Sequence, residues 1–87
     1  MFEPLEPSEF CEKWIPIKRS KNPGEYGYRK ESCKLLAELT GYGETTCNNW
    51  LSTPSEIPQL VRLYLRSVDI LWQIQQIIPT QVNNFKQ

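Results

Sequence analysis

The sequence predicts a small all-α domain of about four helices, and three observations lead to this prediction. Apolar residues recur at spacings of three and four along most of the 87-residue chain, which is the period of an amphipathic helix. Glycine and proline stand between these stretches, where helices are expected to end. Hydrophobic residues make up 39% of the chain, which suffices for a core and argues against general disorder.

The first predicted helix is short and is followed by a loop. Ser8 can cap a helix from Glu9 to about Ile15, because a hydroxyl oxygen can accept from a free N–H of the first turn. Pro16 is expected to stop this helix, since proline has no N–H. Residues 17–27 combine serine, asparagine, proline and glycine, and this composition predicts a loop.

The second and third predicted helices are separated only by a short turn. The second runs from about Tyr28 to Thr40, and Gly41 is expected to end it in a left-handed conformation. The third runs from about Glu44 to Leu51. Gly43 is acceptable as its cap, and an acidic side chain in its first turn favours the positive end of the helix dipole.

The fourth predicted helix is the longest and the most apolar. Thr53–Glu56 resembles a capping box, but Pro58 cannot lie inside a helix that begins there, so 53–57 is interpreted as a turn. The helix then runs from near Pro58 to about Ile78 and stops at Pro79. These elements divide the chain into an N-terminal segment (1–27), a core (28–79) and a polar tail (80–87).

Charge is unevenly distributed although the formal net charge is zero. Residues 1–12 carry a net charge of −4, residues 13–34 carry +5, and the remainder carries −1. A nonspecific nucleic-acid coat protein would normally be basic overall, so the balance counts against that class. The basic block lies directly before and within the second predicted helix, and its side chains either bind an anionic partner or are simply solvated.

Other residue types argue against metal binding and catalysis. The three cysteines are odd in number and form no C-x-x-C pair, and the chain has no histidine. We therefore expect buried thiols in a reducing cytoplasm and no metal ligands. No nucleophile–base pair or phosphate-binding glycine pattern is present, so we expect neither a cofactor nor an enzyme activity. Without a signal peptide or an apolar run near 18 residues, we expect a cytoplasmic or nucleoid-associated protein without membrane contact.

The spacing of small and apolar residues across the second and third helices fits a helix-turn-helix. Ala37 is the small residue where the two helices would cross, and Gly41 follows it by four positions. Cys47 lies six positions further and can pack back onto the first of the two helices, and Trp50 closes the core three positions later. Flanking apolar contacts are expected from Leu36 and Tyr42.

The segment 40–50 resembles the turn and recognition helix of the lambda-repressor/Cro-like family of DNA-binding domains. It includes the less usual second glycine, Gly43, that some phage repressors share. The resemblance covers about 20 residues and extends weakly to Arg66. The chain departs from the family at Cys47, where valine or isoleucine is usual. It also departs before Tyr28, where the family normally has a better-formed first helix.

This resemblance implies a duplex-DNA interface centred on the third helix. In such an interface asparagine can pair with adenine, glutamate can accept from cytosine, and threonine can contact thymine. The implied base contacts are Glu44, Thr45, Asn48, Asn49 and Ser52. Phosphate contacts are expected from helix N-termini and from Arg29, Lys30, Ser32 and Lys34.

The fourth helix is apolar around more than one face, which predicts a partner for the face that does not cover the core. A homodimer would place two recognition helices about one DNA turn apart. One apolar stripe comprises Val61, Leu65, Val68 and Trp72. The other, the expected dimer interface, comprises Leu63, Ile70, Ile74 and Ile77. Alternatively, the N-terminal helix covers the second face.

The function expected from these features is sequence-specific binding of double-stranded DNA by a transcriptional regulator or by an accessory factor of a mobile element or phage. Two alternatives stay open. The chain could be a protein-interaction module that docks a partner through the apolar helix at 58–78. It could also be the DNA-reading subunit of a larger complex, such as an antitoxin or a transposition factor.

Overall fold

Four α-helices and one short 3₁₀ turn form the regular structure in the computed structural model, which describes residues 3–77. The helices are α1 (Pro7–Lys18), α2 (Tyr28–Thr40), α3 (Glu44–Ser52) and α4 (Gln59–Ile77), and the 3₁₀ turn is Pro54–Glu56. Residues 3–77 contain no β-strand. The predicted fold class, a small all-α domain of about four helices, is confirmed. None of the helices in this range has the length and apolar character needed to cross a membrane.

The helices on either side of Gly41 form where they were predicted. α2 has the predicted bounds, and α3 extends one residue beyond the predicted end. Gly41 has a φ of 83°, the left-handed conformation that favours glycine, and its N–H donates to the carbonyl of Ala37 at 2.9 Å. Gly43 stands at the N-cap position of α3. A three-residue connection, 41–43, therefore joins the two helices.

The predicted bounds of α1 were wrong at both ends. The helix begins at Pro7 rather than Glu9, and Glu6 rather than Ser8 is its N-cap, because proline suits the first helical position. The N–H of Glu6 donates to the Glu9 carboxylate at 3.3 Å as part of a capping box. Pro16 lies inside α1 and does not stop it. Pro16 lies near the C-terminal end of α1, and its missing N–H removes only one helical hydrogen bond.

The turn before α4 and the start of α4 agree with the prediction. The 3₁₀ turn lies within the predicted turn 53–57, and Thr53 makes no side-chain cap hydrogen bond. α4 begins at Gln59, one residue after the predicted start. The predicted end of this helix near Ile78, its stop at Pro79 and the polar tail 80–87 lie outside the described residues.

α1 packs against α4 and covers one of the two apolar stripes of α4. The ring of Trp72 lies 5.5 Å from that of Phe10 and 5.2 Å from that of Trp14 between centroids, the latter edge to face. The other members of this stripe, Val61, Leu65 and Val68, are buried as well. These residues join Leu36, Cys47 and Trp50 of α2 and α3 in one core. The N-terminal helix thus packs on the stripe that joins the core, and Ile70 and Ile74 of the second stripe stay exposed, so the alternative in which this helix covers the second face of α4 is wrong.

Asp69 of α4 is a fully buried carboxylate that links α1 to α4. Its Oδ1 accepts from the indole Nε1 of Trp14 at 2.8 Å and contacts the Lys13 ammonium at 2.8 Å. Its Oδ2 accepts from Arg66 at 2.8 Å and from Gln73 at 2.9 Å. Burial acts to raise the pKa of Asp69, but these donors and the charge of Lys13 outweigh burial and hold the pKa below its ordinary value.

The segment before α1 is held along α4 by two arginines. The N–H of Leu5 donates to the carbonyl of Arg62 at 3.1 Å, and the Arg62 side chain donates to the Glu6 carboxylate at 2.9 Å. One turn later, the Nε of Arg66 donates to the carbonyl of Glu3 at 2.9 Å. Arg62 and Arg66 therefore connect the segment before α1 to α4.

Candidate nucleic-acid interface

α3 has one buried apolar face and one exposed polar face. Cys47 is completely buried, and Trp50 is 2% exposed, which confirms the prediction that this tryptophan is buried. The Trp50 ring contacts that of Tyr42 edge to face, with centroids 5.0 Å apart. The side chains proposed for base contacts are all exposed: Glu44, Thr45, Asn48, Asn49 and Ser52.

An open groove of about 580 Å³ separates the N-terminal half of α3 from the start of α2. It is lined by Thr45 and Asn48 of α3 and by Arg29 and Lys30 of α2. Its remaining lining residues are Tyr26, Gly27, Cys33 and Glu44. The structure thus places three of the expected base-contact residues next to two of the expected phosphate-contact residues.

Arg29 binds α3, a role that the sequence did not indicate. Its Nε donates to the Asn48 side-chain oxygen at 2.7 Å, and its Nη2 donates to the Asn48 main-chain carbonyl at 2.9 Å. Nη2 also donates to the hydroxyl of Ser52 at 2.6 Å. The guanidinium places a positive charge near the C-terminal end of α3, where the helix dipole favours it. Only tertiary structure pairs Arg29 of one helix with Asn48 and Ser52, which are four apart on the next.

The expectation that Ser32 contacts phosphate was wrong. Its side chain is completely buried, and its hydroxyl donates to the carbonyl of Tyr28 one turn earlier at 2.9 Å. Ser32 lies four positions before Leu36, which is also fully buried, so it belongs to the inward face of α2. That spacing was the signal in the sequence that could have excluded it.

Lys30 and Tyr26 line the groove beside α3, and Lys34 follows Lys30 by one turn of α2. Lys30 is exposed and Lys34 is partly buried, and neither forms an ion pair with any residue from 3 to 77. Tyr26 is 97% exposed and stands at the rim of the groove. Nothing in the sequence marks this tyrosine as functional, because a lone aromatic residue in a loop has no periodic pattern around it.

The three cysteines are buried and form no disulfide, as expected. Burial raises the pKa of Cys11 to about 12, and this effect exceeds the opposing influence of the neighbouring Ser32 hydroxyl. Burial also raises the pKa of Cys33 and of Cys47. These groups stay protonated near neutral pH, and a thiol is a weaker metal ligand than a thiolate. Among residues 3–77, no group of three or more metal-binding side chains could hold an ion.

The second apolar stripe of α4 faces away from the core. Ile70 and Ile74 of the expected dimer interface are exposed, and Leu63 is partly buried. The side chain of Ile77, the fourth expected interface residue, lies outside the described part of the structure. Leu60, Tyr64 and Leu71 extend the same exposed surface, with Leu60 78% exposed.

The polar face of α3 and the groove beside it, which Lys30 lines, form the candidate surface, and Lys34 lies one helical turn after Lys30 on α2. The hydrogen-bonding side chains of this surface could meet base edges, and the ammonium groups of the two lysines could meet phosphates. No protein-family model, no curated protein and no solved structure matches the chain. The candidate surface is therefore defined only by its own residues and their geometry.

Proposed function

We propose that this protein binds double-stranded DNA sequence-specifically, with α2 and α3 acting as a helix-turn-helix and α3 as the recognition helix. The observation that supports this most is the exposed polar face of α3, which lies beside a groove that Lys30 of α2 lines. A transcriptional regulator, or an accessory factor of a mobile element or phage, fits this activity.

The side chains on the exposed face of α3 can read base edges in the major groove. Within residues 3–77, the Asn49 side chain makes no hydrogen bond, so both its donor and its acceptor are available to adenine. Glu44 can accept from the cytosine amino group, and its negative charge disfavours a position beside phosphate. Thr45 can donate to a base or place its methyl group against thymine.

A salt titration with lysine variants tests this proposal. We expect the protein to enrich a defined sequence from random duplex DNA and its affinity to fall steeply as salt rises. Lys30→Gln/Lys34→Gln should weaken binding to every sequence and flatten the log–log salt slope by about one unit for each lost phosphate contact. The measurement is the dissociation constant between low and physiological salt.

Lys18→Gln is the matched control, because Lys18 lies 4.6 Å from the ring centroid of Trp72 rather than beside α3. Its salt slope should equal that of the unmodified protein. An unchanged slope in the double variant would show that Lys30 and Lys34 are only solvated. Failure of the unmodified protein to bind any duplex at low salt would overturn the proposed function.

We further propose that two copies bind DNA together through the exposed stripe of α4. This surface carries large apolar side chains, and the charged residues of α4, Arg62, Arg66 and Asp69, all bond within the protein. A two-fold interface brings identical patches together, so an uncharged patch avoids repulsion between copies. A dimer would present two α3 helices about 34 Å apart and bind a palindromic site.

Charged substitutions on this stripe test the dimer. Ile70→Glu/Ile74→Glu should give soluble monomers, because each copy would place two unpaired carboxylates in the interface. DNA affinity should fall at least about ten-fold, since one recognition helix makes few contacts. Analytical ultracentrifugation gives the oligomeric state. Ile17→Glu on α1 is the matched control, since Ile17 is a similarly exposed isoleucine.

The exposed stripe also supports a second candidate function, docking of another protein. An apolar depression between α2 and α4 continues this surface, and it is lined by Leu39, Thr40, Tyr42, Leu60, Val61 and Tyr64. A monomer at high micromolar concentration that leaves an asymmetric footprint on DNA would favour this candidate, including a role as the DNA-reading subunit of a larger complex. A symmetric dimer would exclude it for this face.

A further inference from the structure

The contacts of Asn48 determine which of its atoms can reach a ligand. A guanidinium has donors and no acceptor, so the Asn48 atom that faces Arg29 at 2.7 Å must be the carbonyl oxygen. The thiol of Cys33 donates to the same oxygen at 3.7 Å, a weaker contact than that of Arg29. A carbonyl oxygen has two lone pairs, and both are engaged here by side chains of α2.

The amide nitrogen of Asn48 is left as its exposed polar group. No residue in the described range accepts a hydrogen bond from Nδ2, and Asn48 lines the open groove between α2 and α3. In this arrangement the side chain offers two N–H donors and no acceptor. Adenine presents N7 as an acceptor beside an amino donor, so pairing with it through two bonds needs the engaged oxygen. Guanine presents two acceptors, N7 and O6.

We infer that Asn48 reads a guanine rather than an adenine, and that Arg29 is the positioning residue that sets this choice. This inference rests on the proposed DNA binding and names the base class for one position of the site. It also assigns Arg29 a role other than the phosphate contact implied by the resemblance. Arg29 touches α3 through Nε and Nη2, which leaves only the two N–H groups of Nη1 for DNA.

Base preference at a single position of the site is the quantity to measure. Selection from random duplexes with the unmodified protein and with Asn48→Ala identifies the position that loses its preference with the Asn48 amide. We expect guanine there in the unmodified protein. In Arg29→Met the amide is free to turn and pair with adenine, so the guanine-to-adenine affinity ratio should fall on the order of ten-fold at that position alone.

Two further variants separate positioning from mere stabilisation. Arg29→Lys keeps a donor for the Asn48 oxygen and should largely restore the guanine preference. Asn48→Asp keeps acceptors that face Arg29 and removes both donors, so the fold should persist while the preference moves from guanine towards cytosine, whose amino group donates. This second variant tests the inference even if Arg29→Met unfolds.

The outcomes distinguish this inference from the proposed function. Adenine at the Asn48-dependent position, or equal weakening of all sequences by Arg29→Met with an unchanged ratio at that position, would overturn the inference and leave DNA binding in place. Failure of the unmodified protein to bind duplex DNA would overturn both. A guanine preference that disappears in Asn48→Asp and shifts in Arg29→Met supports the inference.

Discussion

Replacing Trp50 with alanine should lower the free energy of unfolding by about 3–5 kcal/mol. Trp50 is almost completely buried, and its loss would leave a cavity where α3 joins the common core. A domain of this size has a total stability on the order of 5–10 kcal/mol, so the variant should lose a large part of it. Urea denaturation followed by far-UV circular dichroism measures the change as a lower midpoint at a similar slope.

Tyr42→Ala is the matched control for this substitution. Tyr42 is the aromatic neighbour of Trp50, but its side chain is 44% exposed. Most of the stability lost in Tyr42→Ala should therefore be the aromatic pair interaction, about 0.5–1.5 kcal/mol. The midpoint should therefore move much less than for Trp50→Ala. Equal midpoints for Trp50→Ala and the unmodified protein would contradict the packing of α3, and the proposed recognition helix would lose its support.

Replacing Asp69 with alanine should destabilise the protein by about 3 kcal/mol. Removing one partner of a buried ion pair typically costs about 3–5 kcal/mol, because the other partners stay desolvated. We expect the lower end, since the Lys13 side chain is 45% exposed and can regain water, whereas the indole of Trp14 cannot. Glu38→Ala removes an exposed partner of Arg19 at 2.8 Å and should cost under about 1 kcal/mol.

The stabilisation from Asp69 should depend on pH in one direction. Its pKa in the folded protein lies below the unfolded-state value of about 3.9. The contribution is therefore fully present above the unfolded-state pKa and is lost as the pH falls through the folded-state pKa. Denaturation of the unmodified protein and of Asp69→Asn across acidic pH should show the difference in stability shrinking as the pH falls. A constant difference would contradict the linkage.

The parts of the fold that were predicted correctly depend on neighbouring residues. Gly41 ends α2 through its own backbone conformation, and the burial of Trp50 follows from its helical spacing to Cys47. The errors at α1 arose because local rules compete. Pro7 and Glu9 together form a better start than Ser8, and a proline near the end of a helix costs little.

The parts that were missed depend on residues distant in sequence. Asp69 reads as an ordinary charge in an apolar helix, and nothing near it indicates that Trp14, 55 positions earlier, donates to it. Arg29 reads as a member of a basic block, whereas its partners lie 19 and 23 positions later. In the candidate site, helical periodicity predicted the exposed face of α3. It could not predict the hydrogen bonds that engage the side-chain oxygen of Asn48.

The bond between Trp14 and Asp69 has a consequence for the order in which the chain folds. α2 and α3 meet across a three-residue connection, so their contact costs little loop-closure entropy and can form early. The contact between α1 and α4 joins Trp14 to Asp69, which are 55 positions apart, so it closes a much longer loop at a higher entropic cost. During synthesis α4 is made after α1, so the aromatic rings of α1 that pack against Trp72 stay uncovered until α4 is in place.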